Sequence, residues 1–336
     1  MSRVRVVGGG AWGTALASVL ADNAHDVVLW AREPEVVASV NESHRNEAFL
    51  PEVQLPEALR ATSDLAEAVS EAEVLVNVVP SQHVRSVWSG IAPSVPSDAL
   101  VVSASKGIET TTLERMDEVM GEMIPAEAFR GFSVISGPSF ALEVGQRQPT
   151  LVVAASRELD VAERVQHLFQ NSYFRVYTNT DVVGVELGGA LKNVMALAAG
   201  VATGLGFGHN TLAALITRGL AEMTRLGVAM GARPETFAGL AGMGDLVLTC
   251  TGSLSRNRTV GVRIGQGERP EDILGEMRAV AEGVKTVQAV HQLSRSHGVE
   301  MPISEQVHAM LTEGLPPGEA LENLMSRAPR SEDWTS

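Results

Sequence analysis

A Gly-x-Gly-x-x-Gly run at residues 8–13 constrains the fold of this chain more than any other feature. The apolar segment Arg3–Val7 leads directly into it, and a helical pattern follows. Each glycine has a separate physical role, since Gly8 permits a tight turn, Gly10 lets the backbone approach a pyrophosphate, and Gly13 lets a helix pack closely on a sheet. Phosphate groups then bind the free N–H groups at the helix N-terminus, where the helix dipole favours negative charge. The order of strand, glycine loop and helix therefore predicts a dinucleotide-binding βαβ unit.

The first half of the chain alternates short apolar runs with helical patterns, whereas the second half is helical throughout. Continuous apolar runs are typical of strands that are covered on both faces in a parallel sheet. The sequence therefore predicts an α/β fold, with a doubly wound Rossmann-type domain over residues 1–181 and an all-α domain over residues 182–336. The predicted strands are Arg3–Val7, Val27–Trp30, Val74–Val79, Leu100–Ala104, Ser133–Ser136, Leu151–Ala155 and Phe174–Tyr177.

Charge and composition exclude several classes of partner. The formal net charge of −14 disfavours nucleic acid and anionic membrane surfaces, so an anionic ligand needs a local basic site. The most apolar helical stretch, Val185–Val201, contains Lys192 and is too short for a membrane span, so we expect no stable membrane anchor. The single cysteine excludes a disulfide framework, and the histidines are not at metal-ligand spacing. Because of this histidine spacing, we expect no bound metal. The N-terminus has no signal-peptide pattern, so we expect a cytoplasmic protein.

Arg32 follows the second predicted strand, where domains of this kind contact the ribose of the cofactor. An acidic residue there favours NAD, whereas an arginine suits the 2′-phosphate of NADP. The adjacent Glu33 weakens the preference for NADP, and a solvated loop charge is the alternative for Arg32. The choice between NADH and NADPH therefore stays open.

Two further segments follow predicted strands and so face the same edge of the sheet. The flexible ammonium group of Lys106 can reach a phosphate of a substrate or cofactor. The glycine-containing segment 136–141 includes Gly137, Ser139 and Ala141. By residue chemistry alone, Lys106 is also consistent with an exposed loop charge, and the segment with a simple turn.

In the helical domain, Lys192 lies among apolar and small residues of a predicted helix. Burial of an ammonium group without a partner costs free energy, and a partly buried lysine suits proton transfer. The alternative for Lys192 is a side chain that extends along the helix until its ammonium group reaches water. Two glycines precede Asp245 and predict a backbone bend that presents its carboxylate. Ser255, Arg256 and Asn257 offer hydroxyl, guanidinium and amide donors for a phosphate, or else form a helix N-cap and a surface charge.

Seven motifs stand in order through nearly the whole chain: Gly8–Ala17, Ser105–Gly107, Ser136–Ala141, Glu186–Asn193, Gly242–Thr251, Ser255–Asn257 and Ala281–Thr286. Together they resemble bacterial NAD(P)-dependent glycerol-3-phosphate dehydrogenases. The resemblance implies that Lys192 is the proton donor and acceptor. The implied substrate-binding residues are Lys106, Gly137, Ser139, Asp245, Ser255, Arg256 and Asn257. The implied cofactor-binding residues are Gly8, Gly10, Trp12, Gly13, Arg32, Lys106, Ala141, Arg256, Val280 and Glu282.

The resemblance also implies a reaction, in which NAD(P)H reversibly reduces dihydroxyacetone phosphate to sn-glycerol 3-phosphate for phospholipid synthesis. The implied partner is a small phosphorylated three-carbon substrate, and a homodimer is left open. Two positions depart from the family: Ala11 replaces the usual serine near the pyrophosphate, and Glu33 stands where a basic residue is often found. Two alternatives stay open here, namely a 3-hydroxyacid or ketopantoate reductase and a nicotinamide-sensing protein without turnover.

Overall fold

Contacts between residues divide the chain into two compact units. The first comprises Met1–Lys106 and Arg115–Val182, and the second comprises Gly107–Glu114 and Val183–Ser336. The short segment 107–114, which precedes the helical half of the sequence, packs with the helical unit because Ile108 is fully buried in its core. The computed structural model describes residues 1–276, 281–329 and 331–332.

One sheet forms the centre of the first unit. Its strands are β1 (Arg3–Val7), β2 (Asp26–Trp30), β3 (Arg60–Thr62), β4 (Val74–Asn77), β5 (Leu100–Ser103), β6 (Phe132–Ser136), β7 (Thr150–Ala155) and β8 (Phe174–Asn179). Their order across the sheet is β3-β2-β1-β4-β5-β6-β7-β8. Strands β1 to β6 run parallel, so the loops after β1, β2, β4, β5 and β6 lie at one edge of the sheet. The predicted α/β class is confirmed.

Two features of the sheet differ from the prediction. Strand β7 pairs antiparallel with β6, so β7 and β8 run opposite to the other strands. A strand that is covered on both faces shows the same apolar run in either direction, and the sequence therefore does not reveal this reversal. The edge strand β3 is missing from the prediction because Arg60-Ala61-Thr62 is short and has no apolar run.

The helices of the first unit connect these strands. Helix α1 begins directly after the glycine loop, and its Leu16 and Leu20 are fully buried in one apolar core with Val4 and Val6 of β1. This packing fixes the helix N-terminus at the end of β1. The helices are α1 (Ala11–Asp22), α2 (Pro34–Ser43), α3 (Leu65–Val69), α4 (Val84–Trp88), α5 (Met116–Met123), α6 (Ala126–Phe129), α7 (Ala141–Gly145) and α8 (Leu159–Phe169).

Apart from the segment 107–114 and the loops between helices, the described part of the second unit is helical. Its helices are α9 (Val182–Gly204), α10 (His209–Ala229), α11 (Pro234–Phe237), α12 (Asp245–Thr251), α13 (Arg256–Gly265), α14 (Pro270–Glu276), α15 (Glu282–Ser296), α16 (Pro302–Thr312) and α17 (Pro317–Met325). By length and composition α9 could cross a membrane, but 89% of its most apolar window is buried inside the protein. Its apolar surface therefore forms the core of the unit, in which Leu187, Leu191 and Val194 are fully buried.

Candidate functional site

The glycine loop after β1 places its glycines in different surroundings. Gly8 has φ +127°, and a Cβ atom there would lie 2.7 Å from the backbone carbonyl of Val78. A Cβ atom on Gly13 would lie 1.8 Å from the Gly8 carbonyl oxygen, so α1 packs directly on the loop. Gly10, by contrast, has open space within 4 Å, and no side chain caps the helix that follows it. The open N-terminus of α1 therefore fits the pyrophosphate of a dinucleotide.

Four of the predicted residues come together at the same edge of the sheet. The Lys106 ammonium group donates a hydrogen bond of 3.0 Å to the carbonyl oxygen of Gly137. The Ser139 hydroxyl donates to the same oxygen, also at 3.0 Å. The Lys106 Nζ atom lies 6.0 Å from the centroid of the Trp12 ring, at the outer limit of a cation–π contact. An ammonium and a hydroxyl group beside the glycine loop suit an anionic ligand.

Arg32 follows another strand, β2, whereas Ala141 lies in the segment after β6 that also carries Gly137 and Ser139. The side chain of Arg32 is exposed, and its Nη2 atom lies 3.0 Å from Oε1 of Glu33. Glu33 is the residue before α2 and its side chain is 29% exposed, so the exposed guanidinium of Arg32 is paired with a carboxylate. Ala141 begins α7 and packs against the apolar core of the first unit.

In the second unit, Lys192 forms a buried ion pair. Its Nζ atom donates a hydrogen bond of 2.7 Å to Oδ1 of Asp245 and one of 2.8 Å to Oγ1 of Thr249. Lys192 is 7% exposed and Asp245 is 1% exposed, so both charges are shielded from water. The Thr249 hydroxyl donates in turn to Asp245 at 3.3 Å. A buried ammonium with a fixed carboxylate and hydroxyl is suited to proton transfer at a ligand oxygen.

The position of Asp245 differs from the expected bend. A π-helical turn at Leu240–Gly244 continues into α12, so Asp245 begins a helix. A Cβ atom on Gly242 would lie 2.1 Å from the carbonyl oxygen of Phe237, and this close packing is the local reason for that glycine. Thr249 is a site residue that was not predicted from the sequence. The available signal was its i, i+4 spacing from Asp245, which places both residues on one face of α12.

The Asn257 side chain connects three segments of the second unit. Its Nδ2 atom donates to Oδ1 of Asn193 at 3.0 Å, and its Oδ1 atom accepts the N–H of Gly283 at 3.0 Å. Gly283 has little space for a side chain, since a Cβ atom there would lie 2.7 Å from the Asn193 carbonyl oxygen. Asn257 therefore joins the residue after Lys192 to the first turn of α15, where Glu282 is the first residue.

Ser255 and Arg256 form the start of α13. The Ser255 Oγ atom accepts the N–H of Arg258 at 3.3 Å, so Ser255 is the N-cap of this helix. Arg256 is its first residue and is exposed. A guanidinium group at a helix N-terminus, where the backbone carries partial positive charge, suits a phosphate.

Val280 lies outside the described residues. Within the part of the chain that the structure describes, the histidines, cysteine and carboxylates form no group of three that could hold a metal ion. Cys250 is fully buried, and burial raises the pKa of its thiol to about 12. The thiol is therefore protonated at neutral pH and inert.

Two family models match the chain. The N-terminal part of NAD-dependent glycerol-3-phosphate dehydrogenase matches residues 3–162, and the C-terminal part matches residues 181–322. The glycerol-3-phosphate dehydrogenase (NAD(P)+) of Geobacter sp. strain M21 is 57% identical over 330 residues, which covers 98% of each chain. The enzyme of the same name from Geobacter metallireducens is 58% identical with the same coverage.

Solved structures agree with these matches. Glycerol-3-phosphate dehydrogenase from Coxiella burnetii is 37% identical with a TM-score of 0.91, over 97% of this chain and 99% of that one. The enzyme from Saccharomyces cerevisiae is 28% identical with a TM-score of 0.80, over 96% of this chain and 99% of that one. A ketopantoate reductase from Ralstonia eutropha is 15% identical with a TM-score of 0.60, over 95% of this chain and 99% of that one, and this similarity shows a shared fold alone.

Proposed function

The chain belongs to the family of NAD-dependent glycerol-3-phosphate dehydrogenases, and we propose that Lys192 is the residue that transfers the proton in its reaction. The enzyme reduces dihydroxyacetone phosphate to sn-glycerol 3-phosphate with NAD(P)H, and the product serves lipid synthesis. The observation that carries the proposal is the buried contact of the Lys192 ammonium with Asp245 and Thr249.

The chemistry of a carbonyl reduction defines the role of Lys192. When bound, the reduced nicotinamide supplies a hydride to the carbonyl carbon, and negative charge then grows on the carbonyl oxygen. The ammonium group of Lys192 stabilises that charge and gives the oxygen a proton. Asp245 and Thr249 accept hydrogen bonds from Nζ, which fixes the orientation of the ammonium group. The neutral amine that results recovers its proton from solvent before the next turnover.

We propose that the first unit holds the cofactor through the glycine loop. Gly8, Gly10 and Gly13 leave the N-terminus of α1 open to the pyrophosphate, and this compensates for the missing serine at Ala11. Arg32 lies where the adenosine ribose is bound in such domains. The other residues proposed for the cofactor are Trp12, Lys106, Ala141, Arg256, Val280 and Glu282.

We propose that Arg256 binds the phosphate of the substrate, with Ser255 beside it. An exposed guanidinium at the start of α13 supports this role, since the substrate phosphate is a dianion that needs local positive charge on a protein of net charge −14. The other residues proposed for the substrate are Lys106, Gly137, Ser139, Asp245 and Asn257.

The test of the proton-transfer role compares two lysines of the second unit. Lys192→Met removes the buried ammonium, whereas Lys285→Met makes the same change on an exposed turn of α15. We expect Lys192→Met to lower kcat by roughly a hundredfold or more. The dissociation constant of NADH, measured by fluorescence titration, is expected to be unchanged. Lys285→Met should retain normal values of both quantities, and near-normal turnover of Lys192→Met would reject the role.

We further propose that the enzyme works in the cytoplasm. Its single cysteine is buried and fits a reducing compartment. For the oligomeric state we propose a homodimer, since twofold dimers are the commonest assemblies of soluble enzymes. Light scattering of the purified protein measures this state directly.

A further inference from the structure

Asn77 is a buried polar residue at the end of an otherwise apolar strand. Strand β4 reads Val-Leu-Val-Asn, each residue is buried, and the exposed fraction of Asn77 is 0%. Burial of an amide costs free energy unless its donors and acceptor find partners. The position therefore demands a compensating set of hydrogen bonds.

The Asn77 side chain has that set. Its Nδ2 atom donates to Oγ of Ser103 at 3.3 Å and to Oγ of Ser105 at 3.0 Å. Its Oδ1 atom accepts the indole N–H of Trp88 at 2.8 Å and the backbone N–H of Val79 at 3.4 Å. Both donor hydrogens and both acceptor sites of the amide are thus in use. An apolar residue of the same size would leave the Trp88 and Val79 N–H groups without this acceptor.

The partners of Asn77 lie next to the proposed ligand-binding residues. Ser105 immediately precedes Lys106, and its hydroxyl also donates to the Val79 carbonyl oxygen. The backbone of Val78 is the group that approaches Gly8. Asn77 therefore connects the loop after β5, which carries Lys106, to the turn after β4.

We propose that Asn77 is a positioning residue, which fixes Lys106 for the substrate by holding the Ser105 side chain. The inference rests on the proposed substrate role of Lys106. The Lys106 ammonium donates a hydrogen bond to the Gly137 carbonyl oxygen. When the neighbouring Ser105 is also held in place, the Lys106 side chain has few other positions available. The Val78 backbone has a bond of its own, from its N–H to the Val7 carbonyl oxygen at 2.8 Å. Loss of Asn77 should consequently affect the substrate more than the cofactor.

The test compares two serines that both accept a hydrogen bond from Asn77. Ser105→Ala removes the partner beside Lys106, whereas Ser103→Ala makes the same chemical change inside β5. We expect Ser105→Ala to raise the KM for dihydroxyacetone phosphate roughly tenfold, which is less than the roughly hundredfold cost of a full 1 Å misplacement. Ser103→Ala should leave this KM within about twofold. The two variants should lower the melting temperature by similar amounts, since each loses a hydrogen bond to Asn77. The dissociation constant of NADH should be unchanged in Ser103→Ala and should rise less than this KM in Ser105→Ala, since Lys106 is only one of several residues proposed for the cofactor.

Asn77→Ala and the double variant Asn77→Ala/Ser105→Ala show whether the two residues act as a pair. If they do, the increase in KM of the double variant is smaller than the product of the two single increases, since Asn77→Ala already removes one of the two hydrogen bonds of the Ser105 hydroxyl. Additive increases, or a normal KM in a folded Asn77→Ala, would overturn the proposal. If Asn77→Ala does not fold, the comparison of Ser105→Ala with Ser103→Ala decides, and equal KM values in these two variants overturn it.

Lys106→Ala separates this inference from the function on which it rests. An unchanged KM for dihydroxyacetone phosphate in Lys106→Ala would remove the substrate role of Lys106, and the proposal for Asn77 would fail with it. A raised KM in Lys106→Ala together with a normal KM in Ser105→Ala would overturn the proposal for Asn77 alone.

Discussion

The two lysines proposed for the site have different surroundings. Lys192 is buried and donates to a carboxylate and a hydroxyl, whereas Lys106 is partly exposed and donates to a backbone carbonyl. The sequence indicates Lys192 because a charge in an apolar helical pattern needs a partner. It does not identify that partner, since Asp245 is 53 residues away and no spacing rule connects the two. Thr249 has a spacing signal, since it stands four residues after Asp245, but that spacing places the two on one face only if Asp245–Thr251 is known to be a helix.

The ion pair of Arg32 with Glu33 leads to a prediction about cofactor choice. Glu33→Gln removes the negative charge that holds the Arg32 guanidinium, so the 2′-phosphate of NADPH gains a free cation and loses a repelling carboxylate. We expect the ratio of kcat/KM for NADPH to that for NADH to rise about two- to fivefold. The change is small because an exposed ion pair contributes little free energy. Parallel steady-state assays with the two cofactors measure the ratio.

The matched control for this prediction is Glu35→Gln, which removes an exposed charge of the same kind from the first turn of α2, two residues further along the chain. We expect this variant to retain the wild-type ratio. Equal ratios in Glu33→Gln and Glu35→Gln would show that the Arg32–Glu33 contact does not influence the choice of cofactor.

Glycines determine how closely the helices of the second unit approach each other. A Cβ atom on Gly200 of α9 would lie 2.1 Å from the Arg258 carbonyl oxygen, and one on Gly261 of α13 would lie 2.1 Å from the Leu197 carbonyl oxygen. Helix α9 carries Lys192, and α13 carries Arg256. The close packing of these two helices therefore fixes the backbones of two proposed site residues relative to each other.

The prediction from this contact is that Gly261→Ala destabilises the protein. The added methyl group meets backbone atoms that cannot rotate away, so the two helices must separate. We expect a loss of about 1–3 kcal/mol in the free energy of unfolding, as for other cases of overpacking. Urea denaturation followed by circular dichroism measures it.

Gly318→Ala is the control for this helix contact, because a Cβ atom in that turn of α17 has open space within 4 Å. Alanine favours a helix over glycine by about 0.5–1 kcal/mol, so this variant is expected to be neutral or slightly more stable. A Gly261→Ala variant as stable as Gly318→Ala would contradict the close contact.

The elements themselves were largely predictable from local pattern. Each predicted strand is present within one or two residues at either end, and the described residues of the half predicted to be helical form helices α9 to α17. These elements have continuous apolar or helical periodicity, which is a local property. The reversed direction of β7 and the placement of Gly107–Glu114 with the helical unit depend on contacts between distant segments, so the local pattern contains no signal for either.

Glu222 of α10 is a buried carboxyl group that contributes to the pH dependence of the stability of the whole protein. Its carboxylate accepts the N–H groups of Ile303 and Ser304 at the start of α16, at 2.7 and 3.2 Å. The side chain is 3% exposed. Burial raises the pKa of Glu222 from 4.5 to about 7, although these hydrogen bonds and the charge of Arg225 oppose the shift.

The sign of the effect follows from proton binding. Between pH 4.5 and about 7 the unfolded chain releases the Glu222 proton while the folded chain retains it, so stability falls as the pH rises through this range and is constant above it. The total loss is on the order of 3 kcal/mol.

Glu222→Gln has no proton to release at this position, so its unfolding free energy should fall less than that of the wild type between pH 5 and pH 7.5 in urea titrations. His25 and His308, whose lowered pKa values give stability that rises with pH, are present in both proteins and cancel in the comparison. Parallel curves for the two proteins would mean that Glu222 is ionised in the folded state throughout this range, and that its hydrogen bonds to α16 outweigh its burial.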